Sequence, residues 1–227
     1  MKGLPLYGLP VAVVDFETTG PDPSTCEPVS VAIVTFDLGQ TKPELAYSTL
    51  IRPSVAIPPE ATTIHGVTDE AVADAPAFEE VLPAMSGAIE GRCFAAYNAL
   101  FDWGVWNSAA GLPFLFLDPF LWVRRLDKYK KGKRLVDAAG RRGVTFDAHD
   151  SRADALATAQ LMPVLLKELR ADLGWGQSTL GDVWAWQLRA GVNQERELAE
   201  YLRRDNPERD FDFRWRDAVA QHSTVIQ

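Results

Sequence analysis

A chain of 227 residues that is 47% hydrophobic and 24% charged can bury a full core, which excludes an extended or disordered polypeptide. A formal net charge of −8 argues against non-specific coating of nucleic acid, though not against a site that grips a strand end. Two cysteines, Cys26 and Cys93, make no disulfide framework, no apolar run is long enough to span a bilayer, and no apolar signal segment opens the chain, so a cytoplasmic protein with no membrane partner is expected.

The first predicted element is a strand at Val11-Ala12-Val13-Val14, running into Asp15-Phe16-Glu17-Thr18-Thr19-Gly20. Its unbroken apolar run suits a strand buried on both faces, and strand alternation turns Asp15 and Glu17 to the same side. Two carboxylates so close repel each other. A divalent cation between them removes that penalty, and hard oxygen ligands suit Mg²⁺ or Mn²⁺. From this segment alone, a strand end with two solvated acids fits equally well. Val29–Leu38 and Glu44–Ile51 read as further strands, joined by short loops into an antiparallel meander.

A helical turn is expected at Pro58-Pro59-Glu60, followed by Ile64-His65-Gly66-Val67 and an N-cap at Thr68 with Asp69 and Glu70 behind it. Ala77–Ile89 reads as a helix with Phe78, Val81, Leu82, Met85 and Ile89 on one face and Pro83 inside it. A fourth strand, Cys93–Tyr97, leads into a helix at Asn98–Ala110 closed by Gly111. Phe114–Leu117 reads as a fifth strand, with helices at Pro119–Tyr129, Leu135–Arg142 and Ser151–Leu173, the last carrying Pro163 at a position to kink it. Strands first and then alternating helices and strands give an α/β domain around a mixed sheet, spanning residues 1–173.

Composition shifts at Gly174-Trp175-Gly176. Residues 174–227 read as a helical extension with two helices, Thr179–Ala190 and Gln194–Arg204, and an irregular end. Trp184, Trp186, Phe211, Phe213 and Trp215 make it too apolar for a free linker, so it either caps the domain or docks a polymerase, a clamp or another replication or repair partner.

Two more acids sit where helices begin. Asp102 falls in the first turn after the fourth strand, where helix capping alone is the simpler account. His149 lies in a polar loop just before Asp154, where a general base keeps mobility. In order, Asp15-x-Glu17-Thr-Thr-Gly, Ile64-His65-Gly66, Asn98-x-x-Phe101-Asp102 and His149-x4-Asp154 resemble the DEDDh 3′–5′ exonucleases, a family that includes the proofreading epsilon subunit of bacterial DNA polymerase III. The resemblance runs from about Val11 to Leu173, and departs at Tyr97, where many members have histidine.

The resemblance implies an RNase H-like fold, a mixed five-stranded sheet flanked by helices. It implies a metal-dependent 3′–5′ exonuclease that releases nucleoside monophosphates from the 3′ end of single-stranded or frayed DNA. Two ions, Mg²⁺ or Mn²⁺, would be held by Asp15, Glu17, Asp102 and Asp154, with Asp15 bridging them and His149 taking a proton from the attacking water. Thr18 and the main chain from Phe16 to Thr19 would face the terminal sugar, with Ile64 and His65 lining the same pocket and Phe101 beneath the terminal bases; Ile64 and Phe101 also fit ordinary core positions. Nine basic residues between Arg124 and Arg142 reverse the sign of the chain locally, so Lys130, Lys131, Lys133 and Arg134 are expected to track the phosphates of the incoming strand. The alternatives are an RNA 3′–5′ exonuclease of the RNase T or oligoribonuclease type, and a non-catalytic nucleic-acid-binding module. The module is disfavoured, because it has no need to hold repelling carboxylates together.

Overall fold

β-Branched runs set the first two strands. β1 (Pro10–Thr18), β2 (Pro28–Asp37) and β3 (Glu44–Leu50) form the antiparallel meander expected from their short connections. The computed structural model describes residues 1–40, 42–204, 206, 208 and 214–222. β1 pairs on its other edge, in parallel, with β4 (Cys93–Ala95), and β4 pairs with β5 (Phe116–Leu117). The five-stranded mixed sheet has the order β3-β2-β1-β4-β5, the RNase H-like arrangement expected from the sequence. β1 is its centre, and Val11 to Val14 are wholly buried, as an apolar run covered on both faces requires.

Helices α1 (Pro59–His65), α2 (Asp69–Val72) and α3 (Phe78–Ile89) separate β3 from β4, and α4 (Ala99–Ala110) separates β4 from β5. Thr68 caps α2 by accepting the Ala71 N–H. After β5 come α5 (Pro119–Leu126), α6 (Leu135–Gly140) and α7 (Ser151–Leu173), and α7 packs on β1 and β2. Pro83 and Pro163 lie inside α3 and α7, each of which continues through its proline. Both cysteines are unpaired thiols, and burial pushes that of Cys93 up to about 12. Among the described residues no helix is long and apolar enough to cross a membrane.

The extension departs from expectation twice. In place of two helices broken at Gly191-Val192-Asn193 there is one, α8 (Leu180–Arg203), whose buried face runs through Leu180, Val183, Trp184, Gln187, Leu188, Gly191 and Ala199. Gly191 does not break it, because the Trp215 ring occupies the space a Cβ would need: the glycine serves close packing. The expected irregular end instead contains α9 (Arg214–Gln221), whose first N–H groups, on Trp215 and Arg216, donate to the Glu195 carboxylate of α8 at 2.7 and 3.1 Å. Phe211 and Phe213 lie outside the described residues.

Trp184 packs edge-on against Phe114 and Phe116, with ring centroids 5.2 and 5.0 Å apart, so α8 shares the main core. At its start, Thr179 bridges to Pro5, and the Leu180 and Gly181 N–H groups donate to the carbonyls of Leu4 and Lys2 at 2.9 and 2.7 Å.

Candidate metal centre

Alternation along β1 brings Asp15 and Glu17 to one side, and α7 delivers Asp154 to the same place. Carboxylate oxygens of these three residues lie within 4.8 Å of one another. The start of α7 is fixed twice. Asp150 accepts the N–H groups of Arg152 and Ala153 as an N-cap, and the Ser30 hydroxyl of β2 donates to Ser151 at 3.1 Å. Asp154, one turn in, accepts the His149 N–H at 3.0 Å.

Asp102 arrives by another route. β4 ends opposite Val13, so beyond that point the free edge of β1 has no strand partner. The Phe16 N–H on that edge donates instead to Asp102 Oδ1 at 3.0 Å. Asp102 is 5% exposed and sits beside the Asp15–Glu17–Asp154 triad, close enough to act on Asp15 electrostatically.

Among the described residues only Asn98 and His149 are non-glycines with positive φ, at 72° and 71°. Each lies just ahead of a helix that carries one of the acids, Asp102 or Asp154, and both belong to residue types that tolerate the left-handed region. Asn98 is held from behind. Asp118, fully buried at the N-cap of α5, accepts its N–H at 3.1 Å and that of Phe120 at 3.0 Å. Gln187 of α8 in turn accepts the Asp118 N–H at 3.0 Å and the Trp122 indole N–H at 2.8 Å, and donates to the Phe116 carbonyl at 3.0 Å.

The acids resist ionisation together. Burial, then Asp102, Asp154, Glu17 and Asp150, raises Asp15 well above the usual carboxylate range. Burial with Asp154 and Asp150 lifts Glu17 to about 7. Asp102 is also raised well above that range by burial, against the opposing Phe16 N–H, and Asp154 is raised by burial against the His149 N–H. Such a cluster is stabilised by cations, and an all-oxygen donor set fits Mg²⁺ or Mn²⁺.

A cavity of about 230 Å³ opens beside the triad, lined in part by Glu17, His65, His149, Asp150 and Arg152. His149 is exposed, and His65 is half-buried at the end of α1 with Nδ1 accepting the Val67 N–H at 3.1 Å. Burial lowers the His65 pKa, as does His149, while the nearby Thr18 carbonyl opposes the shift. Ile64 is 58% exposed, so it is no core residue, whereas Phe101 is partly buried against the core. The Phe16 ring lies in the core between Phe78 and Trp106, and its N–H is taken by Asp102. The Thr18 hydroxyl turns inward to the Gly20 carbonyl at 2.7 Å, and Thr19 is tied to Glu27 through both its N–H and its hydroxyl.

The expected phosphate track is mostly engaged internally. Lys130 pairs with buried Asp127 at 3.2 Å, Arg134 pairs with Asp137 at 3.1 Å, and the Lys133 ammonium donates to the carbonyls of Asp127 and Lys130. Asp127 also receives Arg141 and Arg142; burial pushes its carboxyl up, but these hydrogen bonds hold it down at about 2. Of the four basic residues, Lys131 is exposed and its ammonium has no partner among the described residues.

Sequence reasoning missed Asp150, Asp118 and Gln187. An Asp directly before a helix signals a cap, which could have found the first two; nothing local marks Gln187.

The family model described as RNase T, exonuclease, matches residues 12–162. A DNA polymerase III subunit epsilon-like protein of Rhodobacter capsulatus is 31% identical over 79% of this chain and 26% of its own length. An uncharacterized exonuclease, CP81, of Escherichia phage 186 is 30% identical over 68% of this chain and 87% of its own. The chain spans 6% of the length of the PolC-type DNA polymerase III of Thermotoga petrophila, to which it is 41% identical over 91 residues. Among solved structures, exonuclease X in complex with 5′ overhanging duplex DNA superposes with a TM-score of 0.56 at 26% identity, covering 76% of this chain and 98% of that one.

Proposed function

We propose, on the premise that the chain belongs to the RNase T family of DEDDh exonucleases, that it removes nucleotides from the 3′ end of single-stranded or frayed DNA by metal-dependent hydrolysis. The observation that carries this reading is the convergence of Asp15, Glu17 and Asp154 within 4.8 Å, with Asp102 fixed beside them on the Phe16 N–H. These four acids would hold two divalent cations, which supply stabilisation for charge developing on the attacking and leaving oxygens of a phosphodiester. His149 is exposed at the rim of the cavity, and the bond from its own N–H to Asp154 ties its loop to the acids. Its imidazole would take the proton of the attacking water. Ile64 and His65 would line the pocket for the terminal nucleoside, and the exposure of Ile64 favours that role over a core one. DNA as substrate is supported by the names of the relatives and by the DNA bound to exonuclease X.

The test uses 5′-labelled DNA and RNA oligonucleotides with Mg²⁺, Mn²⁺ or EDTA. Wild type should shorten DNA from its 3′ end only when metal is present. Asp15→Asn should abolish cleavage, and His149→Gln should lower kcat by about 10²–10⁴-fold. Cleavage that survives EDTA, or that starts from the 5′ end, would overturn the proposal; faster loss of RNA than DNA would reassign the substrate.

A further inference from the structure

Five cationic side chains, Arg124, Arg125, Lys128, Lys133 and Arg189, line a cavity of about 530 Å³ between α5 and α8, with Glu197 the one acid in its lining among the described residues. In a chain of net charge −8 this is a local reversal of sign. Arg125 is paired with Asp172 at 2.8 Å, but Arg124, Lys128 and Arg189 make no ion pair among the described residues. Arg124 is half-buried, its guanidinium 5.7 Å from the centre of the Phe120 ring. Burial lowers its pKa against the opposing pull of Glu197, Glu195 and Asp118, none of which forms an ion pair with it, and its planar fork suits phosphate.

Aromatic faces accompany the charges. Trp186 forms part of the wall, and Tyr129, next to Lys128 in the chain, is 93% exposed with the Lys128 ammonium 5.8 Å from its ring centre. One lining residue, Lys133, is linked through its backbone to the strand end that precedes the helix of Asp102. The Lys133 carbonyl accepts the Tyr97 hydroxyl at 2.5 Å, the Tyr97 ring packs 5.6 Å from that of Phe120, and the next residue is Asn98, which opens the helix of Asp102. The α8 wall lies beyond residue 162, where the family match ends.

We propose that this cleft holds the phosphodiester backbone of the single strand leading to the 3′ end, with Trp186 and Tyr129 as stacking faces for its bases. The inference rests on the nuclease reading above. Aromatic faces among cations fit a nucleic acid better than an acidic peptide.

The test measures binding by fluorescence anisotropy in EDTA, where no metal-dependent cleavage occurs, so a cleft that fails to bind and a chain that fails to cut are separate results. The probes are a labelled oligo(dT) of about twelve nucleotides, within the usual range of single-strand site sizes, and a labelled trinucleotide. Arg189→Gln alters an exposed residue, and Arg124→Gln/Arg189→Gln removes a second charge. The longer probe should lose affinity about tenfold in the double variant, and its salt slope should fall by roughly 0.7 for each phosphate contact removed. The trinucleotide should lose far less. An unchanged slope and affinity in both variants would overturn the proposal, as would equal losses for both probes. Competition by polyglutamate as strong as that by unlabelled oligo(dT) would also overturn it, and assign the cleft to an acidic protein.

Discussion

Glu17 and Asp118 each keep a proton to about pH 7, Glu17 through burial with Asp154 and Asp150, Asp118 through burial against the amide hydrogen bonds it accepts. In the unfolded chain both return to about 4. Between about pH 4 and pH 7 the folded chain therefore binds more protons than the unfolded one, and without metal its stability should fall as pH rises through that window and level off above it. Thermal melts in EDTA across pH 5–8 test this, and Glu17→Gln should flatten the slope. Cations compete with those protons, so added Mn²⁺ should raise Tm more at pH 8 than at pH 6. A larger gain at pH 6 would contradict the assignment of these acids as ligands.

The elements that carry the acids also explain what was readable in advance. Asp15 and Glu17 follow from strand alternation, a local rule, whereas Asp102, which by itself reads as a helix cap, and Asp154 join them only through the resemblance carried by the four spaced motifs. Gln187 reaches Asp118 across 69 residues, a pairing that no local pattern encodes. The basic run from Arg124 to Arg142 was visible as composition, but the buried Asp127 that absorbs much of it was visible only as one acid among many. The expected gap between Ala190 and Gln194 contains Gly191, whose reason for being glycine, the Trp215 ring, lies on another helix. Gln187 is completely buried, and Gln187→Leu would leave the Asp118 N–H, the Trp122 indole N–H and the Phe116 carbonyl without a partner. Since each unsatisfied buried group costs roughly 1–3 kcal/mol, a stability loss of roughly 3 kcal/mol or more is expected in urea unfolding. Because Asp118 supports Asn98, the Mn²⁺ concentration for half-maximal cleavage should rise as well.

At the scale of the whole molecule, the extension and the sheet share one core. Leu180, Val183, Trp184 and Leu188 are buried in the same cluster as β1, β4 and β5. At about 1.5–3 kcal/mol for each large apolar side chain, their removal takes away an amount comparable to the whole stability of an ordinary domain. A chain truncated after Gly174 should therefore lose its cooperative thermal transition and bind hydrophobic dyes. A soluble truncation with a normal melt would make the extension a separate module.

The clasp between residues 2–6 and 178–181 joins two segments far apart in sequence. In a growing chain Leu6, buried in the folded protein, waits for roughly 170 further residues before its partners exist. Until then that segment is left uncovered, open to chaperones or to pairing with a neighbouring nascent chain.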